Sequence, residues 1–287
     1  MNRELGSNSL ISVVVPVFNE LHNLQPFTAE VRSAFQALDL PCPFEIVFVN
    51  DGSVDGSAER LDSLAEANPG EVRVIHFARN FGHAIAVTAG LDHACGDLVI
   101  VMDADMQDDP SAFSSFLAKW TEGFDVAYAI RVSREEWLPT RVLYWIFYRV
   151  FDWMAAMRFP LDAGDFSLMD RLVVDQISGM RERNRYIPGL RGWVGFRQAG
   201  VPVPRRARYD THTRVGLRGL WTRAMNAIFS FSYVPLFVFR LIGTVALLAS
   251  IALILFALYH KLITHLAVPA WTSEVITTSF FASINLL

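Results

Sequence analysis

Two aspartates one residue apart, Asp103 and Asp105, close the apolar run of residues 97–105, and Gln107 follows two residues on. That run reads as a strand, and on an extended chain side chains at i and i+2 share a side. Two carboxylates so placed, with an amide oxygen beside them, suit Mg²⁺ or Mn²⁺ bridging a diphosphate. A cation held there would act as a Lewis acid on a departing nucleoside diphosphate. Asp-X-Asp alone is also an ordinary solvated loop. Its weight therefore comes from what accompanies it.

Three further clusters do. Val15-Pro16-Val17-Phe18-Asn19-Glu20 follows one apolar run, and Asn50-Asp51-Gly52-Ser53-Val54-Asp55 follows another. At neighbouring strand ends these loops can share a base and ribose, with Asp51 accepting from a pyrimidine N–H or a guanine edge. Taken singly, each is equally a turn or a helix cap. Arg79-Asn80-Phe81-Gly82-His83 falls at a strand-to-helix junction, where glycine permits close approach and the helix N-terminus favours anions. His83 reads as a metal ligand, a base, or simply a capping or packing histidine. Ala163-Gly164-Asp165-Phe166 sets a carboxylate beside small residues. Asp165 there is either a buried cap or a group facing the acceptor and the reacting sugar.

The elements that must position these groups alternate. Strands are expected over 10–18, 44–51, 72–77, 97–105 and 124–130. Helices are expected over 23–40, 55–68 (with Asp55 as N-cap), 83–94 and 111–120. The β-branched runs are continuous rather than alternating, as in strands buried on both faces. Alternating β and α with crossover-length links predicts a parallel, doubly covered α/β sheet, with ligands beyond the carboxyl ends of its strands.

At 287 residues the chain accommodates one such domain, over 1–215, and an appendage. The mean hydropathy of +0.30 is high for a soluble protein, and the excess lies near the C-terminus. Residues 241–260 contain no Asp, Glu, Lys or Arg, and about 20 residues at about 1.5 Å rise match a hydrocarbon core of about 30 Å. A transmembrane span is expected there, within a membrane region over 237–287. A second apolar run begins at Val275 and is read as a further span cut by the chain end. Residues 140–158, apolar on nearly all sides with Arg141, Arg149 and Arg158 along them, read as an interfacial helix or as a helix packed on the sheet. Residues 216–236 read as a juxtamembrane interfacial segment.

The formal net charge of −4 argues against a nucleic-acid binder. Yet twelve arginines fall between Arg181 and Arg240, against Glu182 and Asp210. Beside an apolar span such a stretch suits anionic headgroups or a phosphorylated substrate, and it places the catalytic domain on the cytoplasmic side, as in a bacterial inner membrane. Cys42 and Cys95 form neither a disulfide framework nor a zinc site. No signal peptide is visible, since the first apolar run, Leu10–Phe18, is short and strand-like. Homo-oligomerisation is left open.

In order along the chain, VVVPVFNE, VNDGSVDGS, RNFGHAIAVTAGLDHACGD, MDADMQDDP, AGDFSLMDR and RNRYIPGLRGWVGF resemble the family 2 glycosyltransferases that act on polyprenyl phosphates. The resemblance covers roughly residues 10–245. It implies a GT-A nucleotide-binding domain with a parallel-rich sheet, amphipathic helices on the membrane and C-terminal transmembrane helices. It further implies that Pro16, Phe18, Glu20, Val49 and Asp51 bind base and ribose, with Asp103 and Ala104 lining the same pocket. Asp105 and Gln107, helped by Asp103, would hold Mg²⁺ or Mn²⁺ against the diphosphate. Arg131 resembles the donor-binding arginine, and Asp165 the aspartate near acceptor and sugar, so Asp165 and Asp103 are the catalytic candidates. Relatives carry a loop resembling Gly-Glu-Ser-Lys-Tyr after a conserved arginine. Here Arg208 is followed by Thr211-His212-Thr213-Arg214-Val215, in which Arg214 keeps the charge while a planar fork replaces a point charge.

The expected activity is metal-dependent, inverting transfer of a sugar from a UDP- or GDP-sugar to a polyprenyl phosphate among the membrane lipids. Such a product serves cell-envelope glycan or glycolipid modification. A catalytically inactive nucleotide-binding scaffold is the rival outside enzymology. A processive synthase lacks its Gln-x-x-Arg-Trp here, and an oxidoreductase lacks G-x-G-x-x-G after the first strand.

Overall fold

The computed structural model describes residues 3–131, 163–182, 185–204 and 234–263, together with 273–274, 276–278, 280–281 and 284. The expected interfacial helix over 140–158, Arg208, Arg214 and the loop 211–215 lie outside the described residues, as does nearly all of the segment 216–236. Those described form two compact units, one up to Pro204 and one from Val234 onward.

The first unit runs β1 (Ile11–Val17), α1 (Leu24–Leu38), β2 (Phe44–Asn50), α2 (Ser57–Ala67), β3 (Val72–His76), α3 (His83–His93), β4 (Leu98–Val101), α4 (Ala112–Thr121), β5 (Val126–Arg131), β6 (Ala163–Asp170), α5 (Arg171–Gly179), α6 (Ile187–Trp193) and β7 (Gln198–Val203). Its seven strands lie in the order β3-β2-β1-β4-β6-β5-β7. Every residue of β1 and β4 is buried, as their unbroken apolar sequence requires. On one face Leu24, Phe27, Val31 and Phe35 of α1 pack on the sheet at the expected helical spacing. On another, α3 lies so close that a Cβ at Gly90 would stand 2.2 Å from Val14 Cγ1.

Pro16 sits inside β1 without breaking the ladder. It shares parity with Val14, whose carbonyl accepts from the Met102 amide on the β4 side, and pairing with β4 extends no further than Val14. The missing N–H therefore falls past the end of that ladder.

Two expectations need correction. The sheet is mixed, because β6 runs antiparallel to both β4 and β5, while β5 and β7 are parallel. Residues 163–170 carry Gly and two Asp, so no strand signal stood out, and burial between two neighbours supplies the pairing instead. The fourth strand also stops at Val101 rather than at 105, and a turn follows with Met106 at φ 62°. A smaller change concerns α2, whose N-cap is Gly56 at φ 90°; Asp55 instead accepts from the Ser57 amide and hydroxyl.

The second unit contains α7 (Val234–Leu262), of which Leu236–His260 is long and apolar enough to cross a membrane. At about 1.5 Å per residue it exceeds a hydrocarbon core of about 30 Å. Only 11% of its most apolar stretch is buried, unlike the core helix of a soluble protein. The helix starts ahead of the expected 241 and takes in Arg240. It is the one such helix among the described residues, so the expectation of several spans reduces there to one.

Gly52 gives a direct test of how the site-bearing loops are packed. Its φ is +68°, and a Cβ would stand 2.4 Å from the Arg79 carbonyl carbon and 2.6 Å from the Asn80 nitrogen, both backbone. Gly52→Ala is expected to destabilise the protein by about 2–5 kcal/mol, combining left-handed strain with overpacking. The measurement is the thermal midpoint of the detergent-solubilised chain. Gly6→Ala, with nothing within 4 Å, should leave that midpoint unchanged.

Candidate active site

Because β1, β2 and β4 are parallel, their carboxyl ends open on one edge of the sheet. The antiparallel β6 brings its beginning to that same edge. Val101 pairs with Ser167 at the last step of the β4–β6 ladder, and Asp103 and Asp165 each lie two residues beyond it. The first residue of α3 stands between them: His83 Nε2 lies 3.1 Å from Asp165 Oδ2, and Nδ1 lies 3.7 Å from Asp103 Oδ1. Asp103, Asp165 and His83 are each about one-third exposed, so the trio is open to a ligand.

The turn after β4 holds its donors outward. Met102, Ala104 and Met106 are buried, whereas Asp103, Asp105 and Gln107 are partly exposed. The alternation expected of a strand thus persists through a turn, because the three apolar side chains anchor it in the core. The Asp105 carboxylate also accepts from the Gln107 amide at 3.1 Å. Met106 holds a left-handed conformation that costs a non-glycine residue about 1–3 kcal/mol, and its buried side chain offsets this.

This donor set fits a hard divalent cation. Among the described residues no group of three or more His, Cys, Asp or Glu is placed to hold a metal ion by itself. Two carboxylates and an amide oxygen facing outward are instead the partial shell that Mg²⁺ and Mn²⁺ complete with substrate phosphates and water. Asp103, Asp105 and Gln107 would hold such an ion.

The loops after β1 and β2 are laced together. Asn19, at φ 56°, donates its amide to Ser53 Oγ at 2.9 Å and accepts from the Val54 amide at 2.9 Å. The Glu20 amide donates to Ser57 Oγ at 3.1 Å. Burial raises the Asp55 carboxyl, but bonds from Ser57 and Leu21 outweigh it and hold this group below its ordinary value. Asp51 is buried, and its two oxygens accept from the Phe81 amide at 2.6 Å and the Gly82 amide at 2.9 Å. It therefore fixes the 79–82 loop and, through it, the start of α3. Gly82, at φ 101°, caps that helix in a conformation β-carbons disfavour.

Not every carried-over residue presents its side chain. Pro16, Val49 and Ala104 are buried, Val49 within reach of Gly90, so their side chains are not presented to a ligand. The Glu20 carboxylate is mostly buried and accepts from Asn23 Nδ2 at 2.5 Å. Phe18 is 39% exposed beside these loops and offers a ring face. Arg131 ends β5, whose carboxyl end meets the same edge, paired with Val203. What the sequence did not single out is the bridging role of His83. Its signal was present in Arg79-Asn80-Phe81-Gly82-His83, but a histidine opening a helix has the same appearance when it merely packs.

A mixed α/β sheet with one carboxylate from the turn after β4 and one from β6 at its open edge is a fold of the GT-A kind. The chain belongs to glycosyl transferase family 2, which matches residues 12–177. An uncharacterised glycosyltransferase of Synechocystis sp. is 36% identical over 279 residues, 96% of this chain and 86% of that protein. Bactoprenol glucosyl transferase of Shigella phage SfV is 39% identical over 235 residues, 81% of this chain and 75% of the other. Among solved structures, glucosyl-3-phosphoglycerate synthase from Mycobacterium tuberculosis, with Mn²⁺, uridine diphosphate and glucosyl-3-phosphoglycerate, is similar in fold. Its TM-score is 0.51 at 17% identity, covering 77% of this chain and 78% of that one.

Proposed function

We propose that this glycosyltransferase moves a sugar from a UDP- or GDP-sugar to a polyprenyl phosphate at the cytoplasmic face of a membrane. The observation that carries the reading is the meeting of Asp103 and Asp165 on His83, one carboxylate from the donor-side turn and one from the neighbouring strand. Relatives named bactoprenol glucosyl transferase support the acceptor class. The exposed apolar helix Leu236–His260 supports a membrane location, and the arginine excess before it supports the cytoplasmic side.

The chemistry follows from charge. A phosphate monoester is largely dianionic at neutral pH, since its second pKa is about 6, so the acceptor needs alignment more than deprotonation. A phosphate oxygen attacks the anomeric carbon, the bond from that carbon to the diphosphate breaks, and the nucleoside diphosphate leaves with the electron pair. No net proton is transferred, and a single in-line displacement inverts the anomeric configuration. The loops 18–20 and 51–57 hold base and ribose, and Asp103, Asp105 and Gln107 face the diphosphate. A divalent cation bound there supplies Lewis-acid stabilisation of the leaving group. Asp165 orients the acceptor and the sugar from the opposite side, and His83 keeps the two carboxylates in register.

Membranes bearing the chain, incubated with a panel of labelled nucleotide-sugars, should pass label into the lipid extract with one of them. No labelled lipid from any donor, with nucleotide still bound, would favour an inactive scaffold. A finer prediction concerns His83. His83→Ala should reduce transfer about ten- to hundredfold, mainly in kcat, because Asp165 loses its contact with His83 while the nucleotide loops stay intact. Unchanged kcat would remove His83 from the arrangement.

A further inference from the structure

The reaction as drawn gathers negative charge: Asp103, Asp105, Asp165, a diphosphate and a lipid phosphate meet at one sheet edge. His83 meets the Asp165 carboxylate. Arg191 of α6, completely buried, meets the main chain of the same segment. Its guanidinium carbon is 5.0 Å from the centre of the Tyr128 ring, and Nη2 donates to the Gly164 carbonyl at 3.4 Å. Among the described residues Nε and Nη1 have no hydrogen-bond partner, and no carboxylate lies within ion-pair distance of it. Its main chain is pinned as well, since the Arg191 carbonyl accepts from Gln198 Nε2 at 2.7 Å.

A packing role alone accounts poorly for this arrangement. Burying a guanidinium without a bonded anion is costly, and a flexible apolar side chain of similar length would fill the same space without that cost. The one hydrogen bond its guanidinium makes among the described residues is to the carbonyl preceding Asp165, and Asp165 is the anion whose charge acts most on it. Burial lowers its pKa to about 10, so it stays a cation at neutral pH.

We propose that Arg191 is a positioning residue for Asp165, holding the Gly164–Asp165 segment from beneath and offsetting its charge so that a phosphate dianion can approach. This deepens the proposed function and rests on the role given there to Asp165.

The experiment is a double-substitution cycle on the full chain, combining thermal midpoints with single-turnover transfer. Arg191→Met is expected to keep or raise the midpoint while lowering transfer at least tenfold and raising the KM for the lipid phosphate. Arg191→Lys should recover part of that loss, since it keeps the charge and loses the fork. In an Asp165→Asn background, Arg191→Met should cost less than a third of the factor it costs alone, because the group it serves is already gone. Transfer by Arg191→Met within twofold of wild type, or an undiminished factor in that background, overturns the proposal. Should Arg191→Met fail to fold, the cycle is run with Arg191→Gln, which also removes the charge, under the same criterion. Wild-type transfer in the same assay separates the two levels of failure. Its absence with every donor rejects the function, whereas its persistence through Arg191→Met rejects only the role of Arg191.

Discussion

Asp165→Asn is expected to lower transfer by about 10²–10⁴, the range that a positioned charged group contributes at a reacting centre. The substitution is nearly isosteric, and the amide can still bond His83 Nε2, so the trio keeps its shape while the negative charge disappears. Asp165 is partly exposed, and its own backbone carbonyl already accepts from Ser167 Oγ at 2.9 Å, so folding has little to lose. The loss should therefore lie in kcat, with nucleotide binding unchanged, and both are measurable on one preparation. An Asn variant within fivefold of wild type would show that the carboxylate at this position does not assist transfer.

Asp105→Ala is expected to have an effect of similar size for a different reason. It removes a hard oxygen from the side proposed to face the diphosphate, and it also removes an acceptor for the Gln107 main-chain amide. The turn then relies on the buried Met102, Ala104 and Met106 to maintain its left-handed residue. Transfer should fall about 10²–10³, and binding of nucleoside diphosphate should lose most of its dependence on added Mg²⁺ or Mn²⁺. Asp105→Asn separates the two contributions, because it retains an acceptor for Gln107 while lowering the charge. Near-normal transfer by both variants would exclude Asp105 from metal and diphosphate binding.

These two aspartates also show how far the sequence could be read. Asp105 was legible because it closes a run of apolar residues that can only be a buried strand, and the carboxyl ends of parallel strands are where ligands bind. The strand itself ends four residues earlier, at Val101. Burial of Met102, Ala104 and Met106 restored the alternation that the strand had been expected to provide. Asp165 was recognisable by motif, but its strand was not, since Gly164, Asp165 and Asp170 carry little β propensity and the antiparallel pairing of β6 is a tertiary fact. That pairing brings the start of β6 to the end of β4, where Asp165 and Asp103 both meet His83, so the relation between the two carboxylates was out of reach of any local pattern.

Asp51 illustrates a different limit. Its placement after a buried strand was legible, but its two bonds to the 79–82 loop depend on a neighbour thirty residues away. Arg191 was counted among cationic residues facing headgroups or a phosphorylated substrate, yet it is wholly enclosed. Charge alone does not distinguish an arginine on the surface from one beneath a strand. The apolar stretch at 241–260 was legible by length and composition, whereas the start of its helix at Val234 was not, because Arg240 looked like a boundary.

The most direct test uses the purified chain in lipid vesicles, with the donor selected by the membrane panel and a divalent cation. One set of vesicles carries a polyprenyl phosphate and a matched set carries the corresponding polyprenyl alcohol. Label is expected in the lipid phase of the first set alone, in step with release of nucleoside diphosphate. Equal label in the alcohol vesicles, or donor consumed without any labelled lipid, would contradict transfer to a lipid phosphate.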